Sequence, residues 1–257
     1  MSALPASVTE LHRGDATVYL VGTAHVSQAS VDEVRAVIAR VEPDAVGVEL
    51  CPTRLAAIAI GKPLSARDAR GLLREGKTLY LVAQLTLAAY QRRIGKKLGV
   101  RPGAEMVAAI EAARAANIEL ATIDRDIDVT LRRAWASLSA PKRAMLGASL
   151  VIGLARPQTV SADTVESLKD PKAREELMAE LARALPEIKA AVIDERDQYM
   201  VSRLHELVAA GHRRIVAVVG AAHVPGMTAQ LDAAIDRARL EAAPPRSLAA
   251  RALMRVV

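Results

Sequence analysis

The sequence has few aromatic residues and no phenylalanine. Aromatics make up 2% of its 257 residues, while apolar residues make up 51%, so alanine, valine, leucine and isoleucine must fill the core. A chain of this length is sufficient for one domain with a sizeable core. The net charge is +6. Because a nucleic-acid interface normally combines clustered cations with stacking aromatics, we expect a solvated basic surface and no nucleic-acid partner.

Cysteine and long hydrophobic segments are also scarce. Cys51 is the one cysteine of the chain, which excludes an intramolecular disulfide framework. Residues 1–17 lack a cationic start followed by an apolar segment, so we expect no signal peptide. Uncharged runs such as 144–155 are shorter than the ~18 residues that a membrane helix requires. We therefore expect a cytoplasmic protein, or one associated with the cytoplasmic side of a membrane if a C-terminal membrane segment belongs to the full protein.

A short motif that occurs twice is the most informative feature present. Val-Gly-x-Ala-His-Val follows an apolar run of strand length at 18–22 and again at 215–219, and it contains His25 in the first copy and His223 in the second. The glycine three residues before each histidine permits a tight turn and a close approach of the backbone to a ligand. One histidine in this position is usually structural, but two in matched contexts favour a functional role.

Apolar runs and helical periodicity predict the fold. Strands are predicted at 18–22, 44–50, 118–123 and 215–219, with helices between them. Residues 1–16 are either a frayed end or an edge strand. The first two strands flank one helix, so we expect them to be parallel neighbours. This pattern predicts an α/β fold with a largely parallel or mixed central sheet flanked by helices.

The same pattern predicts one domain over residues 1–257. Its core strands fall within 18–123 and 215–240, and a final helix is predicted over 227–239. The region 128–210 lacks a clear strand and is predicted to be a helical insertion over the carboxyl ends of the strands. Residues 243–257 form a basic tail.

Each predicted strand is followed by a polar residue, and ligands of open α/β sheets bind at the carboxyl ends of the strands. The residues are His25, Glu49, Asp124 and His223. Two histidines and a carboxylate can bind a divalent ion such as zinc, manganese, cobalt or iron and leave a position open for water. Arg54 can pair with Glu49, or bind a substrate carboxylate or oxyanion.

Structural interpretations of the same residues remain open. Glu49 can be a helix cap or part of an ion pair, and Glu105 lies in the first turn of a predicted helix, where a carboxylate is favoured anyway. Residues 124–126 can cap the next helix. Residues 195–197 can form an exposed helix face, or Glu195 or Arg196 can reach into the cleft at the strand ends. The sequence therefore leaves open the roles of four charged residues, which are Asp124, Arg125, Glu195 and Arg196.

Six motifs together resemble the TraB/PrgY (pheromone shutdown) family over residues 18–230. They are Gly22-Thr-Ala-His25-Val-Ser, Val48-Glu49-Leu-Cys-x-x-Arg54, Pro102-Gly-x-Glu105-Met, Asp124-Arg-Asp126, Glu195-Arg-Asp197-x-Tyr-Met and Gly220-Ala-Ala-His223-Val-Pro-Gly-Met. This family is related to the Tiki metalloproteases and, more distantly, to the erythromycin esterases and the haem-binding ChaN-like proteins, so the resemblance implies a fold of that kind.

The resemblance also implies a function. It implies a peptidase that depends on a divalent ion, manganese, cobalt or zinc, held by His25, His223 and Glu49. Arg54 and Glu105 would belong to the catalytic site, beside Glu49. Short peptides or exposed chain ends would be the substrates, including a peptide signal that the enzyme inactivates, and a homodimer is compatible with this function.

Two other functions fit the same residues. A metal-free hydrolase of the esterase type would use His25 and Glu49 to activate water directly. A non-catalytic protein would use the same cleft to bind a peptide, a metal ion or haem. Metal content and peptide turnover distinguish these functions.

Overall fold

A five-stranded sheet forms the centre of the protein. The structure, a computed structural model, describes residues 4–23, 28–60, 71, 103–155, 176, 179–180 and 182–244, without the side chains of 59–60 and 150–155. The strands are β1 (Val8–Arg13), β2 (Ala16–Thr23), β3 (Ala45–Val48), β4 (Glu119–Thr122) and β5 (Arg214–Gly220). The four strands predicted from apolar runs are confirmed as β2 to β5. The amino-terminal residues form the edge strand β1.

The sheet is largely parallel, as predicted. Its strand order is β1-β2-β5-β3-β4. Strands β2, β5, β3 and β4 are parallel to one another, and β1 pairs antiparallel with β2. The α/β fold class with a mixed, mostly parallel sheet is therefore confirmed.

The prediction that the first two parallel strands are neighbours is wrong. Strand β5 lies between β2 and β3 and pairs with both. A strand–helix–strand pattern establishes that two strands run in the same direction, but it leaves room for a later strand between them. Six of the seven β5 residues are buried, which suits the central position because helices cover both faces there.

Helices surround the sheet. They are α1 (Gln28–Val41), α2 (Pro52–Ile60), α3 (Ala104–Ala115), α4 (Ile127–Ser137), α5 (Ala140–Ala155), α6 (Pro186–Lys189), α7 (Glu195–Ala209), α8 (Val224–Gln230) and α9 (Arg237–Glu241), and a π-helical turn, Ala190–Asp194, precedes α7. No helix in the described part of the chain is both long and apolar enough to cross a membrane.

The single final helix predicted over 227–239 is wrong, because this region forms α8 and α9 with a turn between them. Asp236 starts the second helix, and its side chain accepts a hydrogen bond from the backbone N–H of Arg239 at 3.1 Å. A short side chain of this type competes with the helical backbone for hydrogen bonds and therefore favours a new helix start over a continued helix.

Two apolar clusters hold helices against the two faces of the sheet. On one face, α1 and α3 pack against β2, β3 and β5 through Val34, Ile38, Met106, Ile110, Val46 and Val216. On the other face, α7 and α8 pack through Met200, Leu204, Met227, Leu20, Ile215 and Val219. Residues 215–219 contribute alternately to the two clusters, so the central strand joins both halves of the core. Helix α7 lies in the region predicted as an insertion, yet it forms one of these layers.

Candidate functional site

Three polar side chains lie at the carboxyl ends of neighbouring strands. Glu49 follows β3, Asp124 follows β4 and His223 follows β5. They are 6%, 4% and 4% exposed, respectively. Buried ionisable groups are rare unless they are paired or functional, so this edge of the sheet is the strongest candidate site among the described residues.

The first turn of α7 brings two more charged residues to this edge. Helix α7 packs along the sheet and leads through a short connection into β5, so its amino-terminal end lies at the carboxyl ends of the strands. Arg196 and Asp197 are in this turn, and Asp197 is 2% exposed. The interpretation of residues 195–197 as an exposed helix face is therefore wrong. The alternative that Glu195 or Arg196 reaches into the cleft is confirmed for Arg196, whose side chain is 12% exposed.

Glu49 and His223 are in direct contact. The Glu49 Oε1 atom lies 3.3 Å from Nε2 of His223. The other carboxylate oxygen, Oε2, accepts a hydrogen bond from the backbone N–H of Gly220 at 2.6 Å. Glu49 is thus fixed to the end of β5 and presents one oxygen to the imidazole ring.

Asp197 fixes the opposite side of the imidazole ring. Nδ1 of His223 lies 2.5 Å from Oδ1 of Asp197, and both side chains are buried. Gly226, in the first turn of α8, permits this contact: a Cβ atom there would lie 1.9 Å from Oδ2 of Asp197. Because Nδ1 is held by a carboxylate, Nε2 is the ring nitrogen that faces Glu49.

Arg196 joins the carboxylates of this site. It binds Asp124 in a bidentate manner, with Nε to Oδ1 and Nη2 to Oδ2 both at 2.9 Å. Nη2 also donates to Oε1 of Glu49. Nη1 lies 3.2 Å from Nε2 of His223 and 3.2 Å from the carbonyl oxygen of Val192 in the π-helical turn. One guanidinium therefore contacts the polar residues that follow three neighbouring strands.

These contacts shift the ionisation of the site. Burial opposes the charged form of Glu49, but the hydrogen bond with His223 and the charge of Arg196 outweigh it and hold the Glu49 pKa far below its usual range. Burial also opposes charge on Arg196, yet Asp124 and Glu49 raise its pKa. For His223, burial is outweighed by hydrogen bonds to Asp197 and Glu49, which raise its pKa to about 9. Burial raises the pKa of Asp197, against the opposing effect of His223.

The facing atoms of Glu49 and His223 fit two ligands of one divalent ion. Ligands roughly 2.0–2.2 Å from a shared ion lie about 3.0–3.5 Å apart in tetrahedral or octahedral geometry, and the observed separation is 3.3 Å. The carboxylate on the other ring nitrogen of His223 is the usual partner of a metal-bound imidazole. Within the described ranges, no group of three histidine, cysteine, aspartate or glutamate side chains is placed to hold one metal ion. A complete ligand set therefore needs a donor from outside these ranges or from solvent.

The other predicted site residues have different positions. His25 lies in the segment 24–27, outside the described residues. Thr23, two residues before it, pairs with Gly220 at the end of β5. Arg54, in the first turn of α2, has a side chain that is 42% exposed, with Nη1 3.9 Å from Oδ2 of Asp124. Arg54 therefore lies at the open rim of the site.

Glu105 lies in the first turn of α3 and is fully buried. Helix α3 packs against the sheet and leads into β4 through a short connection, so its first turn lies toward the carboxyl ends of the strands. The basic tail predicted at 243–257 falls outside the described residues from position 245 onward.

Next to the site, Arg125 holds several helices together. It is 1% exposed and donates to Glu195 at 2.8 Å, to the carbonyl oxygen of Ala191 at 2.9 Å and to that of Leu240 at 3.1 Å. Arg133 binds the same Glu195 carboxylate at 2.6 and 2.7 Å. These bonds connect the π-helical turn and α9 to the start of α7, so Arg125 and Glu195 position the turn that carries Arg196.

Three site residues were not among the predicted catalytic or metal-binding residues: Asp124, Arg196 and Asp197. The available signal was positional. Asp124 follows a strand, and the other two lie at the start of a helix that leads directly into the last strand. The helix-cap interpretation of residues 124–126 is confirmed for Asp126, whose Oδ1 accepts from the N–H of Asp128 at 2.8 Å.

Comparison with known proteins identifies similar sequences. The model of the TraB/PrgY/gumN family matches residues 7–234. A TraB domain-containing protein of Bos taurus is 33% identical over 279 aligned positions, covering 96% of this chain and 71% of its own length. The TraB domain-containing protein of Homo sapiens is 31% identical over 272 positions, covering 96% and 72%. An uncharacterized protein of Methanocaldococcus jannaschii is 34% identical over 215 positions, covering 83% of this chain, which spans about half (53%) of the archaeal protein.

Proposed function

This chain belongs to the TraB/PrgY/gumN family, and on this premise we propose that it is a divalent-metal-dependent peptidase. The proposed substrates are short peptides or exposed chain ends, including a peptide signal that cleavage inactivates. The observation that carries the proposal is the pair formed by Glu49 Oε1 and His223 Nε2, 3.3 Å apart and backed by Asp197. A buried pair of this kind, at the ends of two adjacent parallel strands, suits metal binding better than a purely structural role.

His223, Glu49 and His25 are the proposed ligands of manganese, cobalt or zinc. When bound, such an ion polarises a substrate carbonyl and lowers the pKa of a bound water molecule. Glu49 suits the role of ligand better than that of general base, because Oε2 is bound to the N–H of Gly220 and the surrounding donors hold the Glu49 pKa far below its usual range, which makes the carboxylate a weak base. Neutral imidazole is the form that binds a metal ion, so loading the site releases any proton held on Nε2.

Arg54 and Glu105 complete the proposed site. The half-exposed guanidinium of Arg54 lies beside the strand ends, where it can donate to a substrate carboxylate or to an oxyanion during cleavage. Glu105 is assigned to the same site because a fully buried carboxylate needs a polar environment, and its helix starts at this edge of the sheet. The proposed partner is a peptide and not a nucleic acid.

Metal removal tests this proposal. After treatment with a chelator and dialysis, the rate of peptide cleavage should fall at least ~10-fold. Added manganese, cobalt or zinc should restore it. The measurement is turnover of a fluorogenic peptide library, with metal content determined by elemental analysis. Full cleavage by metal-free protein would contradict the metal-dependent mechanism, and peptide binding without turnover would indicate a binding protein.

A metal-free hydrolase is the second candidate, and the contacts of Arg196 favour it. The guanidinium already contacts Oε1 of Glu49 and Nε2 of His223, so the site has a cation of its own. In such an enzyme the carboxylate and imidazole would activate water directly. Retention of activity after chelation would select this candidate over the first.

Replacing Arg54 with methionine should lower kcat/KM for peptides by about 10- to 30-fold and leave the metal content unchanged. The reason is that a substrate anion loses a charge-assisted hydrogen bond, while the proposed ligands Glu49 and His223 remain in place. Steady-state kinetics and elemental analysis on the same sample measure the two effects. An Arg54→Met protein that has lost its metal would contradict the assignment of Arg54 to substrate binding.

A further inference from the structure

Arg196 contacts the same two atoms that the proposed metal ion would use. Its Nη2 donates to Oε1 of Glu49, and its Nη1 lies 3.2 Å from Nε2 of His223. Its side chain is 12% exposed, so the guanidinium is inserted among the strand ends and is not a surface group. Arg196 therefore neutralises this group of carboxylates from within the chain.

An ion and this guanidinium arrangement exclude each other. In the neutral ring, Nε2 has one lone pair in the ring plane, which can accept a hydrogen bond from Arg196 or bind a metal ion, but not both. In the protonated ring, Nε2 carries a hydrogen that an ion must displace. An ion bound to both Oε1 of Glu49 and Nε2 of His223 would also lie against the guanidinium nitrogens, where two cations repel each other strongly because the site is buried.

Arg196 has other partners that remain when it leaves these two atoms. Nε and Nη2 form the bidentate pair with Asp124, and Nη1 also donates to the carbonyl oxygen of Val192 in the π-helical turn. Such turns are frequent at functional sites, where they place side chains that a regular helix would direct elsewhere. Asp124 thus offers an anchor on which the guanidinium keeps its charge paired.

We propose that Arg196 is a built-in competitor of the divalent ion: it lowers the affinity of the site for metal and withdraws from Glu49 and His223 when metal binds. This inference rests on the metal site proposed above. Where a binding-competent state is populated only fractionally, the apparent affinity equals the intrinsic affinity multiplied by that fraction. If Arg196 occupies the two ligand atoms about 90% of the time, removing it tightens metal binding about tenfold.

The test compares Arg196→Met with Arg54→Met. Both changes remove one positive charge near Asp124, but only the first frees Oε1 of Glu49 and Nε2 of His223. Dissociation constants for Zn²⁺ and Mn²⁺ are measured by competition with a chromophoric chelator, without substrate. We expect Arg196→Met to bind at least ~10-fold more tightly than wild type, and Arg54→Met to differ from wild type by no more than about 3-fold.

Equal or weaker binding by Arg196→Met would overturn the inference and leave the proposed metal site standing. Absence of binding by wild type and both variants would overturn the inference together with that site. If Arg196→Met fails to fold, a measurement on the wild-type protein still tests the inference. On addition of Zn²⁺ the ¹⁵N signals of the Arg196 side chain should shift and its Nη protons should exchange faster, and unchanged signals on a metal-loaded protein would contradict the proposal.

Discussion

Replacing His223 with alanine is expected to lower metal-stimulated peptide cleavage by about 10³-fold or more. The change removes a proposed metal ligand and the imidazole that pairs with Glu49 and Asp197. The measurements are kcat/KM for a peptide substrate and the number of metal ions bound per chain, and both should fall together.

A control variant and a suitable assay temperature make this result interpretable. His205→Ala removes a partly buried histidine outside the site, whose Nε2 lies 2.6 Å from the carbonyl oxygen of Leu231, and should leave cleavage unchanged. His223 is buried and paired with two carboxylates, so its loss should also cost about 1–3 kcal/mol of stability. Activity should therefore be measured well below the unfolding temperature of the variant. Cleavage by His223→Ala at the wild-type rate, with contaminating proteases excluded, would refute the peptidase function centred on this site.

Replacing Gly226 with alanine is expected to destabilise the fold by about 2–3 kcal/mol and to weaken metal binding by about 10- to 100-fold. Glycine to alanine inside a helix is normally stabilising, but here the added Cβ would lie 1.9 Å from Oδ2 of Asp197. The carboxylate must move, and His223 then loses the hydrogen bond that orients its ring. Denaturant unfolding and chelator competition measure the two effects.

Gly147→Ala is the matched control for this prediction. The position is also helical, and the nearest side-chain atom to an added Cβ is Cη2 of Trp135 at an ordinary 3.9 Å. This change should be neutral or stabilising by up to about 1 kcal/mol. The double variant Gly226→Ala with Asp197→Ala should be no less stable than Asp197→Ala alone, because the clash has gone. A fully stable Gly226→Ala protein with wild-type metal affinity would show that Asp197 does not hold His223.

Much of the fold followed from the apolar runs. Residues 18–22 and 215–219 are too apolar for solvent and too short for buried helices, which indicates strands covered on both faces. Parallel strands end at one edge of a sheet. The location of the polar residue after each strand could therefore be predicted as well. Glu49, Asp124 and His223 were therefore predicted to meet without any knowledge of the strand order.

Other features could not be derived in this way. The order of the strands depends on which run is buried most completely, and so the insertion of β5 between β2 and β3 was missed. The roles of Arg196 and Asp197 depend on how a helix packs. Both residues lie in a charged stretch that looks like a solvated helix face until α7 is placed along the sheet.

The sequence by itself determined the fold class, the family and the chemical type of the residues at the strand ends, because these depend on local patterns and on the direction of the chain. Tertiary structure decided which of those residues touch. Strand β5 places His223 beside Glu49, Gly226 admits the carboxylate of Asp197, and α7 inserts Arg196 among the strand ends. A contact of a few ångströms between residues 174 positions apart, such as that between Glu49 and His223, depends on the packing of whole helices and strands, which no local pattern encodes.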